Sequence, residues 1–135
     1  MTSRTRAGNA RGGSWGKVVV YPSARFIQAV VPFQGRGLMC PFTLGEAVSY
    51  QAPQNKRAQL VYFRAGHSLD AFVYVSLQRD GQVVRLFPLG AKAAMHVPLA
   101  VVEDIEQGGK LEVFLGAPEG AAGTLVLDIG IVEVE

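Results

Sequence analysis

Apolar and polar side chains alternate with a period of two along most of this chain. That is the spacing of residues on one face of a strand. The clearest stretch is Asp70–Pro88. Ala71, Val73, Val75 and Leu77 share one face of its first arm, and Phe72, Tyr74 and Ser76 share the other. Asp80-Gly81 then separates two such runs, which predicts a hairpin with a type I′ turn, because both central positions of that turn need positive φ. Both faces of the first arm are largely apolar, so it is expected to be central in its sheet and covered on both sides.

The same reading applies before the hairpin. Lys17–Tyr21 and Arg25–Val31 read as strands, the second ended by Pro32. Leu38–Phe42 reads as an edge segment interrupted by Pro41. Glu46–Ala52 alternates, and Ala58–Arg64 is apolar on both faces, which predicts a core strand beside the hairpin.

After the hairpin, Lys92–Val97 and Lys110–Leu115 read as strands. Between them Leu99, Val102 and Ile105 recur at a helical spacing after Pro98, so Pro98–Gln107 is expected to be an irregular connection with at most two helical turns. In Thr124–Glu135 the apolar set is odd-numbered through Ile131. Val132 and Val134 are then apolar, and Glu133 and Glu135 charged. A strand cannot bury both sets on one face, so a bulge or bend is expected at Gly130. Eight or nine short strands without a strong amphipathic helix predict an all-β fold. The expected form is an antiparallel two-sheet β-sandwich or jelly-roll-like barrel. One domain is expected over residues 17–135, preceded by a flexible basic arm over residues 1–16.

Composition sharpens this picture at a few points. The chain has 135 residues with 16 Gly and seven Pro, which suits one turn-rich domain. No apolar run is long enough to span a membrane, and the first 16 residues carry no apolar leader segment. A cytoplasmic or virion- or assembly-associated protein is therefore expected. The single cysteine, Cys40, excludes an internal disulfide. Its apolar neighbours predict a buried side chain.

Charge is segregated. Residues 1–102 hold 12 Lys and Arg against three acids, a net of +9, and residues 103–135 hold Lys110 against eight acids, a net of −7. If folding preserved that division, one molecule would present a basic and an acidic surface.

Candidate chemistry is sparse. His67, Ser68 and Asp70 lie close together, but a catalytic triad is made by geometry, and Ser and Asp beside a strand are common turn-formers. His96 stands in an apolar segment. No metal-binding spacing and no nucleotide fingerprint occurs, so neither a metal nor a cofactor is expected. Arg4, Arg6 and Arg11 in the arm are too few for strong nucleic-acid binding, so nucleic acid is not an expected partner.

At Phe72-Val73-Tyr74-Val75, Asp80-Gly81-Gln82-Val83 and Leu86-Phe87-Pro88, with Val97-Pro98 following, the chain resembles DUF4384-type bacterial domains over roughly residues 60–115. That resemblance implies a β-sandwich binding or scaffold module of unassigned activity.

Together these features predict a non-catalytic accessory subunit that docks on other protein subunits of a larger assembly, copies of itself among them. The expected contacts are Arg4, Arg6, Arg11 and Trp15 from the arm, and Asp128, Glu133 and Glu135 from an exposed last strand. The alternative is a module that binds a small ligand or carbohydrate. It would require Trp15, Tyr21, Tyr50 or Tyr74 to line one concave face.

Overall fold

Among the described residues ten strands follow in order: β1 (Val19–Val20), β2 (Phe26–Gln34), β3 (Gly37–Thr43), β4 (Ser49–Gln51), β5 (Arg57–His67), β6 (Val73–Arg79), β7 (Gln82–Leu89), β8 (Ala94–Ile105), β9 (Lys110–Ala117) and β10 (Ala122–Val134). One 3-10 turn, Glu46–Val48, precedes β4. The computed structural model describes residues 19–20 and 26–134; the arm expected over residues 1–16 lies outside them. The strands form two antiparallel sheets. The first has the order β1-β2-β10-β5-β8. The second has the order β3-β9-β6-β7, with β4 also on β9. No described helix is long and apolar enough to cross a membrane.

The hairpin follows its local chemistry. Asp80 and Gly81 have φ of 51° and 85°, and β6 and β7 pair from Val73↔Leu89 to Arg79↔Gln82. β6 is central, as expected, and Val73, Val75 and Leu77 point into the core. No further layer covers its other face among the described residues. Ser76 is nonetheless buried, because Phe114 and Leu86 flank it in register on either side.

The two inner faces meet in one apolar core. Ile27, Ala29, Val31 and Phe33 enter from β2, and Leu125, Leu127, Ile129 and Ile131 from β10. Leu111, Val113 and Leu115 oppose them from β9. Phe63 of β5 stacks on Phe87 of β7 across the gap, with ring centroids 3.8 Å apart and planes 8° from parallel.

That stack shows where β5 lies. It belongs to the first sheet between β10 and β8, and not beside the hairpin as expected; the chain crosses between sheets after His67. Pro98–Gln107 is also corrected. Most of it belongs to β8, with Leu60 opposite Glu103 and Tyr62 opposite Pro98. Between Pro98 and Glu103 four residues of β8 stand against Val61 alone, a large bulge and not a helical turn. Pro32 does not end its strand. β2 runs on to Gln34, with Pro32 opposite Thr124 of β10.

The register break expected at Gly130 is present, between Gly130 and Ile131. The extra residue, however, is Val61 on β5, since Gly130 pairs with Tyr62 and Ile131 with Leu60. β5 changes phase there, burying Leu60 and then Phe63, while β10 keeps its phase and leaves Val132 exposed.

Cys40 is exposed rather than buried. β3 pairs with β9 only at Gly37 and at Phe42-Thr43, so Leu38–Pro41 loop away from the ladder, and Met39 is 91% exposed.

Among the described residues, ion pairs bridge the charge division. The four ion pairs among the described residues are Arg64–Asp128, Arg79–Glu103, Arg85–Glu103 and Lys110–Glu46. Each joins the basic part of the chain to the acidic part. Glu103 of the first sheet thereby holds Arg79 and Arg85 of the second.

Candidate functional site

Antiparallel pairing brings four polar residues into one row across the outer face of the first sheet. Asp128 on β10 lies opposite Gln28 on β2 and Arg64 on β5, and Arg64 lies opposite His96 on β8. One flanking row is Val30, Val126, Gly66 and Ala94. The other begins Phe26, Gly130, Tyr62. The face thus combines a polar stripe with an apolar border and an aromatic one.

Lateral hydrogen bonds fix the stripe. Asp128 Oδ1 accepts from the Tyr62 hydroxyl at 2.7 Å and from Gln28 Nε2 at 3.3 Å. Arg64 Nε donates to His96 Nδ1 at 3.0 Å, and its NH1 lies 3.8 Å from Asp128 Oδ2. The guanidinium also sits 5.3 Å from the centre of the Tyr62 ring, a cation–π distance. Each side chain stands on a strand and is braced by its neighbour, which limits what it must lose on binding.

Tyr62 owes its position to a glycine. A Cβ on Gly130 would lie 2.0 Å from Tyr62 Cε2, so the ring lies directly over the glycine backbone of the next strand. The phenol pKa is pushed up to about 12, first by burial and then by the hydrogen bond and charge of Asp128. The proton is therefore held more tightly in the folded chain than in the unfolded one, where an ordinary tyrosine loses it near pH 10. This contribution to stability is complete below about pH 10 and is lost as pH rises toward about 12. Tyr62→Phe has no such proton. In urea titrations, the stability difference between wild type and this variant is expected to shrink across that window. A constant difference would refute the coupling.

The residues singled out from sequence do not form a second centre. His67 is buried, with Nε2 2.6 Å from the Gly90 carbonyl and Nδ1 accepting from Leu69 N–H at 3.2 Å. Those two bonds assign the proton to Nε2. Ser68 Oγ accepts from Thr124 N–H at 2.9 Å and secures the start of β10. Ser68 and His67 are thus engaged in turn and strand contacts rather than with one another, and His96 lies on the outer face. No group of three or more His, Cys, Asp and Glu suited to a metal occurs among the described residues.

Of the expected partner contacts, Asp128 lies at the middle of the stripe. Glu133 accepts from the Tyr50 hydroxyl at 2.7 Å, a bond between the two sheets. Arg4, Arg6, Arg11, Trp15 and Glu135 lie outside the described residues, as does Tyr21. The expected exposed last strand is corrected. β10 is interior, paired with β2 on one side and β5 on the other, and offers no free edge there. Nor do Tyr50 and Tyr74 share a face: Tyr50 reaches Glu133, whereas Tyr74 lies over Gly116 on the second sheet and donates to the Leu38 carbonyl at 2.7 Å. The aromatic that borders a polar row is Tyr62. Its sequence signal was the combination of Tyr62 and Gly130, which is readable only once β5 and β10 are paired.

No family model and no curated protein matches the sequence. Among solved structures, the chain is similar to the CBM36-1 domain of a multidomain xylanase from the hindgut metagenome of Trinervitermes trinervoides. The identity is 16%, the TM-score is 0.52, and the match covers 90% of this chain and 87% of that one. The likeness establishes the β-sandwich fold. It also tells against the expected docking subunit of an assembly, because the matching sandwich is a domain of a xylanase.

Proposed function

We propose that this chain is a non-catalytic module that binds a hydroxyl-rich glycan across the outer face of its first sheet. The observation that carries the reading is the row Gln28, Asp128, Arg64 and His96, bordered by the Tyr62 ring lying over Gly130. A sugar presents adjacent hydroxyls at its rim and C–H groups on its faces. A carboxylate accepts from the hydroxyls, guanidinium and amide groups donate to them, and an aromatic ring packs against the C–H face. The row offers all of these within a few residues of one another. The fold likeness to a CBM36-1 domain, a class named for carbohydrate binding, supports the same reading. The engagement of both His67 ring nitrogens by backbone favours binding over catalysis.

Affinity electrophoresis and calorimetry against a panel of plant and bacterial polysaccharides test the proposal. At least one glycan is expected to retard the protein. Tyr62→Ala and Asp128→Ala are each expected to weaken that binding about tenfold or more, the loss associated with a hydrogen bond to a charged group. Leu86→Ser, on the opposite sheet, is expected to bind as wild type does. Binding that survives both first-sheet substitutions would overturn the site.

A further inference from the structure

We infer that the stripe selects carboxylated sugars, the uronates, and that Arg64 is the residue that reads the carboxylate. This rests on the glycan-binding reading above. Arg64 and Asp128 are unequal in what they offer a ligand. The Arg64 side chain is 57% exposed, against 26% for Asp128. Asp128 turns Oδ1 to two neutral donors, Tyr62 and Gln28. Its other oxygen lies 3.8 Å from Arg64 NH1, beyond ordinary hydrogen-bond length. The outer edge of the guanidinium therefore keeps donor capacity for an incoming group.

His96 adds to this. Because Arg64 Nε donates to Nδ1, the ring proton of His96 sits on Nε2, away from Arg64. The exposed imidazole N–H and the guanidinium edge are neighbouring donors on one face. Asp128 is the one acid of the row, and the bordering positions Val30, Val126, Gly66, Ala94 and Phe26 add none. A carboxylate matches a planar guanidinium through two parallel bonds, which a neutral hydroxyl pair cannot do with equal strength. The cation–π contact holds that guanidinium over the Tyr62 ring, 5.3 Å from its centre, so the ring helps to fix the group that would meet the carboxylate.

The test is calorimetric titration of the full chain with a uronate oligosaccharide and with the same oligosaccharide after its carboxyls are reduced to primary alcohols. The uronate is expected to bind about tenfold tighter, and the ratio is expected to fall toward one when salt is raised from about 0.05 M to about 0.5 M. Arg64→Met is expected to abolish the ratio, and Arg64→Lys to keep only part of it, since a lysine retains the charge without the fork. Tyr62→Ala is expected to weaken both ligands and leave the ratio standing. Thermal melts of each variant verify folding. Equal affinities that both depend on Tyr62 would overturn the inference and leave the glycan site intact. A preference that persists in Arg64→Met would remove Arg64 from the role. Binding of neither ligand, nor of any panel glycan, would overturn both readings.

Discussion

Gly130→Ala is expected to destabilise the fold by about 2–3 kcal/mol, the cost of forcing one extra carbon into a filled space, and to remove glycan binding in the molecules that still fold. The new Cβ would lie 2.0 Å from Tyr62 Cε2 and 2.3 Å from Cδ2, so the ring must leave its seat. Its hydroxyl would then lose Asp128, and Arg64 would lose the ring beneath it. Gly116→Ala is the matched control. There a Cβ would lie 2.2 Å from Tyr74 Cε2 on the second sheet, a clash of the same kind on the opposite face. Urea denaturation is expected to show similar losses for the two variants, and calorimetry to show lost binding only for Gly130→Ala. If both variants bound glycan equally well, Tyr62 would have no part in recognition.

The contrast between these two glycines bears on what the sequence made legible. Local features were readable because their chemistry is local. Asp80-Gly81 specified its turn, and the alternation of Leu125, Leu127 and Ile129 specified the buried face of β10. Features that need two strands at once were only half readable. The break at Gly130 announced itself, but its cause is Val61 on the neighbouring strand. The helical spacing of Leu99, Val102 and Ile105 carries no sign of the bulge in β8, which is defined by its pairing with β5.

The candidate site was the least legible part. Residues 28, 64, 96 and 128 share a row only through three separate strand registers. Asp128 stands out in the sequence by its charge alone, yet its setting is Tyr62, Gln28 and Arg64. The charge division misled for the same reason. Sheet pairing sets basic and acidic residues side by side, so Arg64, Arg79 and Arg85 of the basic part pair with Asp128 and Glu103 of the acidic part.

Phe63→Ala is expected to have the largest effect of any single substitution discussed, a loss of about 3–5 kcal/mol. Phe63 is fully buried and lies at the phase change of β5, immediately after Tyr62. Its ring stacks on Phe87 from the opposite sheet. Removing it leaves a cavity that the surrounding strands cannot close without shifting the register that also places Tyr62 and Arg64. Phe87→Ala is expected to cost less, because Phe87 lies on the edge strand β7 and retains some exposure. A double-mutant cycle separates the stack from the cavity: an interaction of about 0.5–1.5 kcal/mol is expected beyond the burial of either ring. A cycle that closes to zero would mean that the rings contribute only their area. The sheets would then be aligned by the surrounding aliphatic core and by Glu103 with its two arginines, and glycan affinity would survive in the folded fraction of Phe63→Ala.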